Sequence, residues 1–166
     1  MTTILKRNNF SIVFISLFLM FSCDDITDFN QYKSIDSRGW KANEKVFFEF
    51  DVKDTISSRN LFINIRNNNN FEFSNLYVIT ELDFSNGTKI VDTLQYKMAD
   101  ETGVFLGTGV TELKENKLFY KENKVFPVSG KYTLSIRHAM RKNGDVNPIE
   151  HLKGIQDVGF SIEKLK

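Results

Sequence analysis

LYVITELDFSNGTKIVDTLQYKM, residues 76–98, decides the fold class. Leu76, Val78, Leu82 and Phe84 share one face of an extended chain, because successive side chains of a strand point to opposite sides. Asn86-Gly87 follows, a dipeptide that tolerates positive φ at both central positions of a tight turn. Ile90, Leu94, Tyr96 and Met98 then resume the alternation, so the stretch predicts one long β-hairpin. Asp92 falls on the apolar side of the returning strand, which predicts a sheet rim or a bulge there.

The same period runs outward in both directions. Toward the N-terminus, Leu61, Ile63 and Ile65 share a face, as do Val46, Phe48, Phe50 and Val52, and the run Asn67 to Asn70 breaks the pattern between strands. Toward the C-terminus lies a glycine-rich loop over residues 100–111. Residues 113–124 mix Lys and Glu around Leu118, Phe119 and Tyr120 and fit a strand or a short helix. Tyr132, Leu134, Ile136, His138 and Met140 form one strand face, Asn143-Gly144 a turn, and Val158, Phe160 and Ile162 the inward side of a last strand. About eight strands with frequent turn signals predict an all-β, antiparallel β-sandwich, jelly-roll or Ig-like, with little helix.

Composition agrees with a single folded domain. The 166 residues include 16 Phe and 2 Pro, which is neither a disordered nor a low-complexity balance. Without Lys6 and Arg7 the basic residues fall from 22 to 20 against 21 acidic, a net of −1. Such a balance offers no electrostatic case for binding nucleic acid or for a polybasic membrane contact.

The N-terminus predicts an anchor. Lys6-Arg7 precedes the apolar run Phe10–Phe21, the outline of a signal peptide over residues 1–22. Twelve helical residues reach about 18 Å, too short for the roughly 30 Å hydrocarbon core. The run ends in Leu19-Met20-Phe21-Ser22-Cys23, which resembles the relaxed lipobox of Bacteroidetes lipoproteins, with Phe21 departing from the stricter pattern. Cys23 is the chain's single cysteine, and acylation removes the liability of an unpaired thiol in an oxidising compartment. Asp24, Asp25 and Asp28 follow as a sorting signal or the start of a tether. Residues 23–39 read as lipidated Cys and tether, and residues 40–166 as the sandwich domain.

Enzyme signatures are missing from the sequence. It holds no His-Glu-x-x-His, cysteine pair, Gly-x-Ser-x-Gly or phosphate loop, and no catalytic residue, cofactor or metal is expected. His138 reads as a satisfied histidine at a sheet rim. Asp100 and Glu101 with Asp92 or Asp157 lack the alternating carboxylates of a calcium loop. Trp40, Phe105 and Tyr120 would stack on sugar rings if they converged on one face, and Phe105 in its glycine-flexed loop also suits a protein interface.

The stretches Leu61 to Asn69, Phe71 to Leu76, Met98-Ala99-Asp100, Gly107-Thr108-Gly109, Lys114 to Leu118 and Gly154 to Phe160 together resemble the gliding-motility lipoprotein GldH family of Bacteroidetes. The resemblance covers nearly the whole chain after Cys23. It implies an envelope lipoprotein that carries fatty-acyl chains such as palmitate, faces the periplasm from the outer membrane, and is required for surface gliding. Adhesin movement in that process is tied to the type IX secretion system, so envelope proteins of that apparatus are the implied partners. No catalytic residues carry over from the family. The expected contacts lie in two loops, at Asn67, Asn68, Asn69 and Asn70 and at Gly103, Phe105, Gly107 and Gly109, since loops on a rigid scaffold commonly carry function. A glycan-binding lipoprotein is the alternative.

Overall fold

The computed structural model of the protein describes residues 26–165. The expected signal peptide and the lipidated Cys23 lie outside the described residues. Ten strands and no helix occur among the described residues: β1 (Thr27–Ser34), β2 (Trp40–Lys41), β3 (Val46–Val52), β4 (Arg59–Asn67), β5 (Asn75–Asp83), β6 (Lys89–Lys97), β7 (Lys114–Lys124), β8 (Gly130–His138), β9 (His151–Leu152) and β10 (Ile155–Lys164).

Setting aside the two-residue strands β2 and β9, which pair with each other, the rest pair from the outside inward. First meets last in β1 with β10, then β3 meets β8, β4 meets β7 and β5 meets β6, all antiparallel. The β10–β4 and β8–β5 ladders complete two four-stranded sheets, ordered β1-β10-β4-β7 and β3-β8-β5-β6. A long hairpin folded over on itself gives this order, so the sandwich is a jelly roll and not an Ig-like one.

The alternation that predicted the strands is the alternation that fills the core. Val46, Phe48, Phe50 and Val52 on β3 face Val158, Phe160 and Ile162 on β10 across the sandwich, and all are buried. Phe50 is the hinge of this packing: its ring lies 5.4 Å from Phe160, 5.6 Å from Phe29, 5.7 Å from Tyr132 and 5.9 Å from Phe126. Each such side chain stabilises the fold by about 1.5–3 kcal/mol relative to exposure. The segment 113–124 is a strand, because Asn116, Leu118 and Tyr120 point between the sheets while Lys117 and Phe119 point out.

One expectation needs correction, and at Asp92 one of two alternatives is met. The stretch read as a tether holds β1, so the domain begins near Thr27 and not at Trp40. Its apolar residues at 26, 29, 32 and 35 do not keep period two. As an edge strand, β1 places Gln31 and Lys33 opposite Phe160 and Val158, and Lys33 covers the Phe48 ring at 5.9 Å. Asp92 sits in an unbroken β5–β6 register, so no bulge forms there. It lies at the rim where the sheets meet, accepting from Tyr120 Oη at 3.1 Å and pairing with Lys121 Nζ at 2.9 Å.

Candidate functional site

Antiparallel register sorts every connection to one of two ends. One end holds the start of β1, the end of β10 and the short loops 53–58, 84–88 and 125–129. The other holds the long connections 35–45, 68–74, 98–113 and 139–154, and these pack on one another. Both loops expected to make contacts lie at this second end.

The long loops close on each other through backbone approach. Asn68 N donates to Gly154 O at 2.9 Å, and a Cβ on Gly154 would lie 2.0 Å from the Phe71 nitrogen, so only glycine fits there. Phe71 in turn meets Phe105 at 6.3 Å between ring centres. Met98 N donates to Ser74 O and Leu106 N to Met98 O, tying the 98–113 loop to its neighbours.

Gly107-Thr108-Gly109 folds back along the start of β7. Thr108 and Glu115 exchange both backbone hydrogen bonds at 2.8 Å, and Lys114 Nζ donates to Gly109 O at 2.7 Å. A Cβ on Gly107 would press on the Asn116 amide at 2.9 Å, and one on Gly109 would strike Leu113 O at 2.3 Å. Beneath them, Asn116 Nδ2 donates to Asn67 Oδ1 at 2.9 Å and to Ile65 O at 3.3 Å. The motifs of the sequence resemblance therefore meet at one place, with Asn67, Asn116 and Gly107 stacked from strand to strand to loop.

This geometry assigns different roles within the expected contact set. Asn67 is fully buried and acts as a brace, whereas Asn69 and Asn70 are exposed and Asn68 is half-buried. Phe105 turns inward onto Phe71, while its neighbours Val104 and Leu106 stand 62% and 53% exposed and Val110 projects wholly into solvent. These three, with Leu113, are the exposed apolar residues that reading the loop for its glycines and Phe105 missed. The isolated bridge Ala99–Phe105 fixes the alternation that turns Phe105 in and its neighbours out.

The proposed sugar platform is not formed. Trp40 is fully buried, with Nε1 donating to Glu44 O at 3.0 Å, and Tyr120 is only 6% exposed between the sheets. Neither ring presents a face to a ligand, because both fill the sandwich interior that the alternation reserves for large side chains.

His138 and Asp100 are likewise committed to structure. His138 is buried edge-on against Trp40, at 5.5 Å between rings. Its Nδ1 accepts from Met140 N at 3.3 Å, which leaves Nε2 as the donor to Trp40 O at 3.0 Å. Burial pulls its pKa down to about 4, so the imidazole is neutral. Asp100 Oδ1 accepts from the Thr102 hydroxyl at 2.7 Å, Thr102 N at 2.8 Å and Val104 N at 3.0 Å. These bonds, the hydroxyl's first, hold its carboxyl below the usual range. No group of three His, Cys, Asp or Glu placed to hold a metal occurs among the described residues.

A second feature escaped sequence reading, on the outer face of the β1-β10-β4-β7 sheet. Tyr32 lies flat over Gly159, where a Cβ would come within 2.7 Å of its ring. From there its hydroxyl reaches Glu115 Oε1 at 2.8 Å, while Arg66 stacks on the ring at 4.1 Å and donates to Glu115 Oε2 at 3.0 Å. Burial, then the Glu115 carboxylate, pushes the Tyr32 hydroxyl up to about 12. The group straps all four strands together.

A model of the family described as GldH lipoprotein matches residues 27–162, the span from β1 through β10. The chain belongs to the GldH lipoprotein family. It is 49% identical over 160 residues to the gliding motility lipoprotein GldH homolog of Christiangramia forsetii, covering 95% of this chain and 98% of that one. It is 41% identical over 160 residues to the gliding motility lipoprotein GldH of Flavobacterium johnsoniae, covering 96% and 99%. Among solved structures, the infectious bursal disease virus VP2 subviral particle is similar at 17% identity and a TM-score of 0.36, over 84% of this chain and 31% of that one. A likeness that low carries no argument. The stretches that resembled GldH in sequence are those that lock the long-loop end, from Asn67 and Asn116 to Gly107 and Gly154.

Proposed function

We propose that this chain is a gliding-motility lipoprotein of the cell envelope, anchored by lipid on Cys23 and facing the periplasm from the outer membrane. It acts without catalysis, as an assembly or stabilising component of the gliding and type IX secretion apparatus, and contacts another envelope protein through its long-loop end. Family membership names the process. The observation that carries the role is the cluster of exposed Val104, Leu106, Val110 and Leu113 on a loop braced by Gly107, Gly109 and Asn116. A rigid scaffold that presents apolar side chains suits protein recognition, because ordering costs are already met in the free protein.

Cells that carry Leu106→Glu with Val110→Glu in place of the wild-type copy test the reading. Gliding should fail while the protein stays abundant and folded, and affinity purification after crosslinking should lose the envelope components that the wild type recovers. Normal gliding by that variant, with the same proteins recovered, would sink it.

A further inference from the structure

We infer that the short-loop end of the sandwich seats directly on the lipid surface, with Ile56 as the side chain that enters it. The inference rests on the reading of Cys23 as the acylated residue. From Cys23 to Ile26, the first described residue, is three residues, which span at most about 11 Å when fully extended. β1 then starts at Thr27, paired with Glu163 of β10. With so short a reach, the end of the fold that holds the start of β1 cannot leave the membrane.

That end is equipped for the contact. Ile56 is 88% exposed at the tip of loop 53–58, and Leu165 and Val125 are exposed at the same end of the sandwich. Ile56 is held out by its own turn: Asp54 Oδ1 accepts from Ile56 N at 2.8 Å and from Ser57 N at 3.0 Å. Among the described residues, the acids that flank this end are paired: Arg59 meets Asp28 and also Asp54, the latter at 3.2 Å, and Lys164 lies 3.8 Å from Asp28. A lipid surface gains apolar contact there without taking up an unpaired carboxylate from this cluster. One isoleucine suffices because the anchor keeps the surface at high effective concentration.

The opposite end cannot compete for the same surface. Strands of 8 to 11 residues at about 3.3 Å per residue hold Val104, Leu106 and Val110 roughly 26–36 Å away. Seating on Ile56 thus stands the jelly roll upright and aims its long loops at whatever lies across the periplasm.

The test uses the full acylated chain in vesicles of phosphatidylethanolamine and phosphatidylglycerol, some with brominated acyl chains. Cys23 is the only cysteine, so an introduced one takes a fluorophore alone once Cys23 is acylated. Labels go at Ile56→Cys, Leu165→Cys and Val110→Cys, and the mass of the N-terminal peptide reports acylation. Brominated lipid should quench the labels at 56 and 165 severalfold more than the label at 110. An acylated chain whose labels at 56 and 165 are quenched no more than the one at 110 would overturn the seating and leave the anchor and the proposed function standing. A label at 56 shielded from water yet unquenched would assign that end to contact with a second copy of this chain and overturn the seating equally. A Cys23 peptide without the acyl mass would overturn the anchor, and the seating with it.

Discussion

The two ends of the jelly roll are closed by different physics. At the short-loop end, side chains fill the gap: Phe126 and Phe84 pack on Tyr132 at 5.2 and 4.9 Å, Phe50 lies among them, and Ser85 Oγ donates to Ser129 O to join two loops. At the long-loop end, backbone fills it. Gly154 lets Asn70-Phe71 come close, and Gly107 and Gly109 let a loop lie on the start of β7. The first end resembles any apolar core, where volume matters more than identity. The second admits few substitutions, because a single methyl group meets backbone atoms that cannot retreat. The precision falls on the end that carries the exposed Val104, Leu106 and Val110.

Substitutions should separate the two ends. Phe50→Ala, which opens a cavity in the ring cluster, should cost about 3–5 kcal/mol in chemical denaturation. Gly154→Ala combines a positive φ of 84° with a backbone clash and should cost about 3 kcal/mol by the same measurement. The two losses differ in kind. Phe50→Leu should recover much of the first, while no residue with a Cβ should recover the second.

Acid should weaken the long-loop end. His138 is neutral in the fold with a pKa of about 4 against 6.5 when unfolded, so the unfolded chain binds the extra proton. Its contribution is complete above pH 6.5 and is lost as pH falls toward 4, with a slope of at most about 1.4 kcal/mol per pH unit. Unfolding followed across that window in wild type and His138→Gln should show the slope shrink in the variant. The smallest stability effect belongs to the exposed loop: Val110→Glu should shift stability by less than about 0.5 kcal/mol, while disrupting partner recovery.

Much of the fold was legible because the core obeys period two. Residues 76–98 predicted the β5–β6 hairpin, and β3, β4, β8 and β10 followed from the same alternation. What escaped did so for physical reasons. β1 is an edge strand whose inward Gln31 and Lys33 need not be apolar, so its sequence reads as a tether. The direction of Trp40 and Tyr120 depends on where β2 and β7 meet the other strands, and no local pattern encodes that. The candidate loops were found from their glycines and asparagines, of which Asn67, Gly107 and Gly109 proved to be braces. The exposed apolar side chains are the ordinary valines and leucines beside them, whose exposure only the fold decides.

Site-specific photocrosslinking in gliding cells tests the division of labour most directly, with the reactive residue placed at Val110 or at Asn86 in the short loop 84–88. An envelope protein should be captured from position 110 and none from 86. Capture of that protein from 86, with 110 silent, would contradict that division.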